Sequence, residues 1–153
     1  MHRMRSALNV GLGLELNIPD NPQDFSGSLW QPLPAGGVWA SLSAHPAYGL
    51  FGNLKFTPNA SGNDLSGTYL GTIAAPQCES DTQFIKNLVS NAQAYGNNLP
   101  YSYPNYVGYM PPGTYNSDSF ISGLLRASGV TPPLLFITPN FQVPGYYNPV
   151  PIH

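Results

Sequence analysis

A run of short polar residues opens the segment of this chain that is best suited to chemistry. The segment begins with Asn116, Ser117, Asp118 and Ser119, continues as an apolar pattern with helical spacing, and ends at Gly129. At the start of a helix, the dipole and the free backbone N–H groups stabilise negative charge. A serine there is placed to attack a carbonyl group. The simpler interpretation is N-capping by Asn116 or Ser117, with Asp118 favouring the positive helix end.

A serine nucleophile needs a base, because its hydroxyl is a weak nucleophile by itself. His45 is the only histidine away from the chain ends. It lies between two predicted strands, where an imidazole can project over a sheet edge. A structural histidine is the alternative interpretation. Cys78, the single cysteine, has no Cys or His neighbour at metal-ligand spacing, so we expect no metal site and no catalytic thiol there.

Three strands and two helices must position these side chains. Apolar and β-forming residues predict an antiparallel meander with strands over 38–44, 50–57 and 68–75 and a turn over 60–67. Helical spacing predicts helices over 82–95 and 118–128, the first N-capped by Ser80 or Asp81. Both helices should pack on one sheet that contains all three strands. The side chains expected to be buried are Phe84, Leu88, Phe120 and Leu124.

The whole chain, residues 1–153, is interpreted as one domain. Residues 1–36 contain one short strand pattern and are otherwise expected to be irregular, packed down by Phe25 and Trp30. Residues 134–153 are expected to form an extended C-terminal tail. A Tyr- and Pro-rich loop precedes the second helix, and its aromatic rings could line a substrate groove. These rings belong to Tyr103, Tyr106, Tyr109 and Tyr115.

Composition narrows the possible partners. Only 8% of the residues are charged, against roughly 25% in typical soluble domains, and the formal net charge is −2. Five Lys and Arg residues cannot neutralise a phosphate backbone, so we expect no nucleic-acid partner. No apolar run is long enough for a transmembrane segment, and no signal peptide is visible. The uncharged polar surface is typical of extracellular, envelope or virion-like proteins, and we expect this chain to be secreted or delivered as part of a larger effector and to act in the envelope, the periplasm or a target cell.

The segment YNSDSFISGLLRASGVTPP, residues 115–133, resembles the nucleophile helix of permuted papain-like domains in bacterial secreted and polymorphic-toxin proteins. NlpC-type cell-wall hydrolases and lecithin:retinol acyltransferase belong to the same superfamily. In the permuted order, a histidine near an early strand comes first, and the nucleophile follows at the start of a late helix. LKFTPN (54–59) and GTYLGTIAAP (67–76) resemble the early strand pair. The resemblance covers residues 38–133, so 37–133 would be the papain-like core.

Two positions depart from the family pattern. Ser117 occupies the place of the usual cysteine, with Asn116 before it. The usual histidine position falls on Asn53, and His45 lies several residues earlier. The third, orienting residue is not placed, although the candidate strand carries Thr68, Tyr69 and Thr72.

The resemblance implies an α+β fold in which a small antiparallel sheet carries two packed helices. It further implies a secreted bacterial effector or toxin domain that cleaves or transfers at an amide or acyl ester bond. The substrate would be a cell-wall peptide or a lipid, and a cognate immunity protein could be a partner. Ser117 would attack and His45 would take its proton, with Asn116, Asp118 and Asn53 holding the oxyanion or orienting the site. No cofactor is expected.

A different class of function remains open at this point. The chain could be a non-catalytic binding or structural module of a bacterial surface or phage-tail-like protein. High Asn, Gly, Tyr and Pro with very low charge fits that class. The observation that separates the two is whether Ser117 Oγ lies within hydrogen-bond reach of an imidazole.

Overall fold

The computed structural model describes residues 3–9, 11–18, 22–48, 51–59, 68–102, 110–131 and 145–152. Within these ranges the chain forms eight strands, one short 3-10 turn at Pro22–Asp24 and two α-helices. The strands are β1 Arg3–Asn9, β2 Gly11–Ile18, β3 Gln31–Pro32, β4 Val38–Leu42, β5 Ala44–Tyr48, β6 Phe51–Phe56, β7 Thr68–Thr72 and β8 Leu99–Pro100. The helices are α1 Asp81–Ala94 and α2 Ser117–Ala127.

The fold is α+β, as predicted, but its strands form two sheets rather than one. The larger sheet has the order β3-β4-β2-β1-β7, and the smaller has the order β5-β6-β8. All paired strands are antiparallel. The prediction of a single sheet containing 38–44, 50–57 and 68–75 is therefore wrong. Strands β4 and β7 lie in the larger sheet, whereas β6 lies in the smaller one.

The division occurs at Ser43, which separates β4 from β5 and belongs to neither strand. The chain passes there from one sheet to the other. Thr57 N donates to Ser43 O at 2.9 Å, and Asn59 N donates to Ser41 O at 3.0 Å. The Asn59 side chain accepts in turn from Ser41 N. These bonds extend the β5–β6 hairpin back along β4, so one bent hairpin joins the two sheets.

The first 36 residues are more regular than predicted. Strands β1 and β2 pair in register from Arg3 opposite Asn17 to Asn9 opposite Gly11. Strand β2 is the middle strand of its sheet. One face of β2 packs on the core, because Leu14, Leu16 and Ile18 are fully buried while the residues between them are half-buried. The short strand pattern seen in the sequence is thus a central strand.

The two helices agree closely with the prediction. Ser80 is the N-cap of α1, and its side chain accepts from Gln83 N. The four apolar side chains predicted to be buried are fully buried: Phe84, Leu88, Phe120 and Leu124. Helix α2 packs against α1, β2 and β5, and every residue from Ser117 to Leu125 is buried. Within the described part of the chain, neither helix is long and apolar enough to cross a membrane.

The described C-terminal residues, 145–152, lie against α2. Tyr146 and Val150 are buried, and Val150 N donates to Ser119 O at 3.0 Å. Gly123 allows this approach, because a Cβ at that position would collide with the backbone of Val150. The predicted turn at 60–67 and most of the predicted tail of 134–153, namely residues 134–144 and 153, lie outside the described residues.

Candidate functional site

The start of α2 is held by a capping box. Asn116 is the N-cap, with extended backbone angles, and its Oδ1 accepts from Ser119 N at 3.0 Å. In return, Ser119 Oγ accepts from Asn116 N at 3.3 Å. Two backbone N–H groups of the helix start are thereby satisfied within the cap. Asn116 is thus the N-cap, and Ser117 is the first residue inside the helix.

The hydroxyl of Ser117 is consequently available for a contact outside its own helix. Its Oγ donates to the carbonyl oxygen of Ala44 at 2.5 Å, a bond between residues 73 apart in the chain. Strand β5 lies at the edge of its sheet. Because Ser43 bonds to Thr57 across the hairpin and alternate residues of a strand point their carbonyls to opposite sides, Ala44 O faces away from β6. Ser117 Oγ therefore donates a hydrogen bond to a main-chain carbonyl of an edge strand.

His45 follows Ala44 directly and pairs with Lys55 on β6. Ala44 and Leu54 are fully buried, so strand alternation places His45 and Lys55 on the outward face of the small sheet. The His45 side chain is half-buried, and its Nε2 atom is buried. The structure thus brings the two predicted catalytic segments together. In this arrangement the bond of Ser117 Oγ is made to the carbonyl before His45 rather than to the imidazole.

The three residues predicted to orient the site have different environments in the structure. Asn53 is exposed on β6, two residues before Lys55, so it shares the outward face with His45. Asp118 is buried in the first turn of α2. Asn116 has a capping role, and its Nδ2 faces the sulfur of Met110 at 3.8 Å.

Of the remaining candidates, three lie on a strand of the other sheet, one lies directly before the N-cap of α2, and three lie beyond the described residues. Thr68, Tyr69 and Thr72 belong to β7 in the larger sheet, whereas His45 belongs to the smaller one. Tyr115 is half-buried and pairs in parallel with Tyr101 in an isolated bridge. Tyr115 N donates to Pro100 O at 3.0 Å. The groove residues Tyr103, Tyr106 and Tyr109 lie outside the described residues, so an aromatic groove stays a prediction.

Sequence reasoning missed the contact of Gly145 with the helix start. Gly145 O accepts from Ser119 Oγ at 3.0 Å, next to Asn116. Its φ of +89° favours glycine, and a Cβ there would collide with Asn116 Oδ1 and Ser119 Oγ. The only sequence signal was a glycine inside a Pro- and Tyr-rich segment. That signal predicts a turn but not the partner of the turn.

Two buried tyrosines stabilise the surroundings. Tyr95 follows α1, and its hydroxyl donates to Leu54 O on β6 at 2.9 Å. Burial raises the pKa of Tyr95 from 10.0 to about 12. Burial also raises the pKa of Tyr146 to about 12. Both phenols are therefore neutral at physiological pH, and Tyr95 acts as a hydrogen-bonding core residue.

Metal chemistry finds no support in the residues that the structure describes. Among them, no group of three or more His, Cys, Asp or Glu side chains could hold a metal ion. Cys78 is exposed and makes no disulfide.

No protein-family model, no curated protein and no solved structure matches this chain. The contact between Ser117 and the strand that carries His45 is therefore the observation from which a function can be argued.

Proposed function

We propose that this protein is a papain-like hydrolase or acyltransferase that uses Ser117 as nucleophile and His45 as base. The observation that supports the proposal is the bond of Ser117 Oγ to Ala44 O, the residue directly before His45. Two segments that the permuted papain-like order requires to meet are far apart in sequence and lie together in the fold. The serine is also the first residue of its helix, where the dipole favours negative charge.

The reaction would begin with a change of hydrogen-bond partner. A peptide carbonyl accepts a hydrogen bond but does not accept a proton at neutral pH, so Ser117 Oγ must turn from Ala44 O to the imidazole of His45. His45 then takes the hydroxyl proton while Oγ forms a bond to the substrate carbonyl carbon. We assign the resulting oxyanion to the backbone N–H of Ser117, beside Asp118 at the helix start.

Collapse of the tetrahedral intermediate completes the first half of the reaction. The bond from the carbonyl carbon to the leaving nitrogen or oxygen breaks, and His45 returns its proton to the leaving group. The acyl group stays on Ser117 Oγ until water or another acceptor attacks it, with His45 again acting as base. Water as acceptor gives hydrolysis, and an alcohol or amine as acceptor gives acyl transfer.

The setting we propose is a secreted bacterial effector acting on a cell-wall peptide amide or a lipid ester. The low content of charged residues and the Tyr- and Pro-rich loop support an uncharged, envelope-type substrate. A toxin of this class would be neutralised in its producer by a cognate immunity protein.

Conversion of the serine to a thiol tests the proposal most sharply. Cys78 is exposed and would react in any labelling experiment, so the background is Cys78→Ser. In that background, Ser117→Cys should be alkylated by iodoacetamide faster than free cysteine at pH 7, as intact-mass spectrometry would show. A partner imidazole and the helix start both favour the thiolate. Adding His45→Ala should abolish the rate advantage.

Turnover is the second arm of the same test. The protein with its native Ser117, and the Ser117→Cys variant, should release product from peptidoglycan peptides or from lipid esters. Ser117→Ala should release none. A folded Ser117→Cys variant that is no more reactive than free cysteine, and that turns over neither substrate class, would overturn the proposal.

A second candidate function is supported by the burial of the same residue. Ser117 is only 6% exposed, and its hydroxyl already has a buried carbonyl partner. A hydroxyl with that role belongs equally well to a non-catalytic binding module, in which α2 is a structural helix. An unreactive thiol at position 117, together with unchanged ligand binding by Ser117→Ala, would support this second function.

A further inference from the structure

A small cleft lies between α1 and the loop that follows the 3-10 turn. Its volume is about 180 Å³, and it is open on one side. The helix contributes Lys86, Val89, Ser90 and Gln93, which share one face because they are three or four residues apart. None of these residues takes part in the contact between Ser117 and Ala44.

The loop wall of the cleft is aromatic. Phe25 and Trp30 pack edge to face, with ring centroids 4.9 Å apart. Phe25 is buried and anchors the pair, while Trp30 is half-buried and lines the cleft. Lys86 Nζ lies 5.9 Å from the centroid of the Phe25 ring. Phe25 and Trp30 thus form an aromatic wall, and part of the Trp30 indole is open to an occupant.

The other lining groups are hydrogen-bonding side chains. Asp24 supplies acceptors, Lys86 supplies donors, and Gln93 and Ser90 supply both. One carboxylate and one ammonium group balance each other, so the cleft selects for a neutral occupant. A lipid chain would make no use of these polar groups, and a phosphate group would be repelled by the carboxylate of Asp24 as well as attracted by the ammonium of Lys86. The occupant must therefore be uncharged, polar at its rim and apolar on one face.

The geometry points to a binding site for one neutral pyranose ring of a glycan. The C–H groups on one face of such a ring carry partial positive charge and are attracted to the negative face of an indole. Its hydroxyls both donate and accept, which matches the mixed polar rim. Clefts for drug-sized ligands are roughly 300–1,000 Å³, so this one takes a single ring while the rest of the glycan extends through the open side. The site stands apart from the chemistry proposed for Ser117.

Ligand-observed NMR titration of the full chain tests the site, with cellobiose and diacetylchitobiose as probes. The two disaccharides share the neutral β-linked pyranose and distinguish a glucan source from an amino-sugar source. A Kd on the order of 1 mM is expected for a contact of this size, for one or both sugars. Binding of glucosamine or methyl glucuronide tenfold more tightly than both would overturn the neutral assignment.

Variants in matched pairs locate the binding. Trp30→Ala should weaken it at least about tenfold, while Trp39→Phe, at a half-buried indole outside the cleft, should not change it. Gln93→Ala should weaken it, whereas Gln83→Ala, exposed on the same helix and outside the cleft, should not.

A second kind of variant covers the case in which Trp30→Ala does not fold. Ser90→Phe adds bulk at an exposed helix position and should block the cleft while leaving the fold intact. Unchanged sugar binding by this variant, or no binding of either disaccharide at tens of millimolar, would overturn the site. Neither Trp30→Ala nor Ser90→Phe should change the alkylation rate of Ser117→Cys, so the two proposals can fail separately.

Discussion

The Oγ of Ser117 donates a 2.5 Å hydrogen bond to the main-chain oxygen of Ala44 on β5, an edge strand among those that the structure describes. This bond joins the first turn of α2 to the strand that continues into His45. It makes the hydroxyl a structural group in addition to the nucleophile that we propose. The dual role changes what a substitution at this position should do.

Ser117→Ala should lower the free energy of unfolding by about 1–3 kcal/mol, because it leaves the buried Ala44 carbonyl without its partner. Urea unfolding followed by circular dichroism measures the change. Loss of turnover, not loss of stability, therefore separates the enzymatic from the structural function.

A matched control for this substitution lies one and a half turns further along α2. Ser122 Oγ is buried and has no hydrogen-bond partner in the described part of the chain. Ser122→Ala should leave stability unchanged or raise it by up to about 1 kcal/mol, because it removes an unsatisfied hydroxyl and improves helix propensity. Equal destabilisation by both substitutions would contradict the structural role given to the Ser117 bond.

Asn116→Ala should destabilise the protein by about 1–2 kcal/mol, since it removes the acceptor of the capping box. Ser80→Ala is the comparison, because Ser80 caps α1 with an exposed side chain. That change should cost less, on the order of 0.5–1 kcal/mol. Thermal unfolding of both variants gives the ranking, and a larger loss for Ser80→Ala would argue against the buried cap at Asn116.

Gly123→Ala should destabilise the protein by about 1–3 kcal/mol, although Ala is normally favoured over Gly inside a helix by about 1 kcal/mol. The reason is the collision of the new Cβ with the Val150 backbone, which lies directly on α2. Denaturant unfolding checks the sign. A stabilised Gly123→Ala variant would show that residues 145–152 do not pack on this helix in solution.

Alkaline pH should weaken the fold through Tyr95 and Tyr146. Burial raises the pKa of each to about 12, above the ordinary value of 10.0. Below pH 10 both phenols are protonated in the folded and unfolded states, so their contribution is complete. Between about pH 10 and 12 the unfolded chain releases protons that the folded chain retains, and stability is lost as pH rises.

Tyr95→Phe isolates one of these contributions. At pH 8 it should cost about 1 kcal/mol, because the hydrogen bond to Leu54 O is lost while the ring still packs. The difference from the native protein should shrink as pH rises through 10, since the variant has no phenol to ionise at this position. Urea midpoints measured from pH 8 to 11 follow the trend, and a constant difference would contradict it.

The two helices could be predicted from the sequence because their signals are local. Ser80 before α1 and Asn116 before α2 are short polar residues at the start of apolar helical patterns, and both are N-caps in the structure. The side chains of Phe84 and Phe120 are buried as their spacing requires. Each of these features is decided within one or two turns of chain.

The partners of the strands could not be predicted in the same way. Alternation in a strand states which face is buried but not which strand lies beside it. Alternation alone therefore predicts one sheet for 38–44 and 50–57, whereas the chain bends at Ser43 and divides them between two sheets. The alternation of Leu14, Leu16 and Ile18 was visible, but not that this strand is central.

In the candidate site, too, local features could be predicted from the sequence and contacts between distant segments could not. Sequence alone predicted that Ser117 lies at the start of a helix, and it singled out His45 as the one histidine away from the chain ends. Only the tertiary structure decided that Ser117 Oγ bonds to Ala44 O and that Gly145 reaches the capping box. These contacts join residues 73 and 26 positions apart. Contacts of that kind depend on how whole elements pack, because the free energy that selects them comes from burial summed over the core rather than from any local pattern.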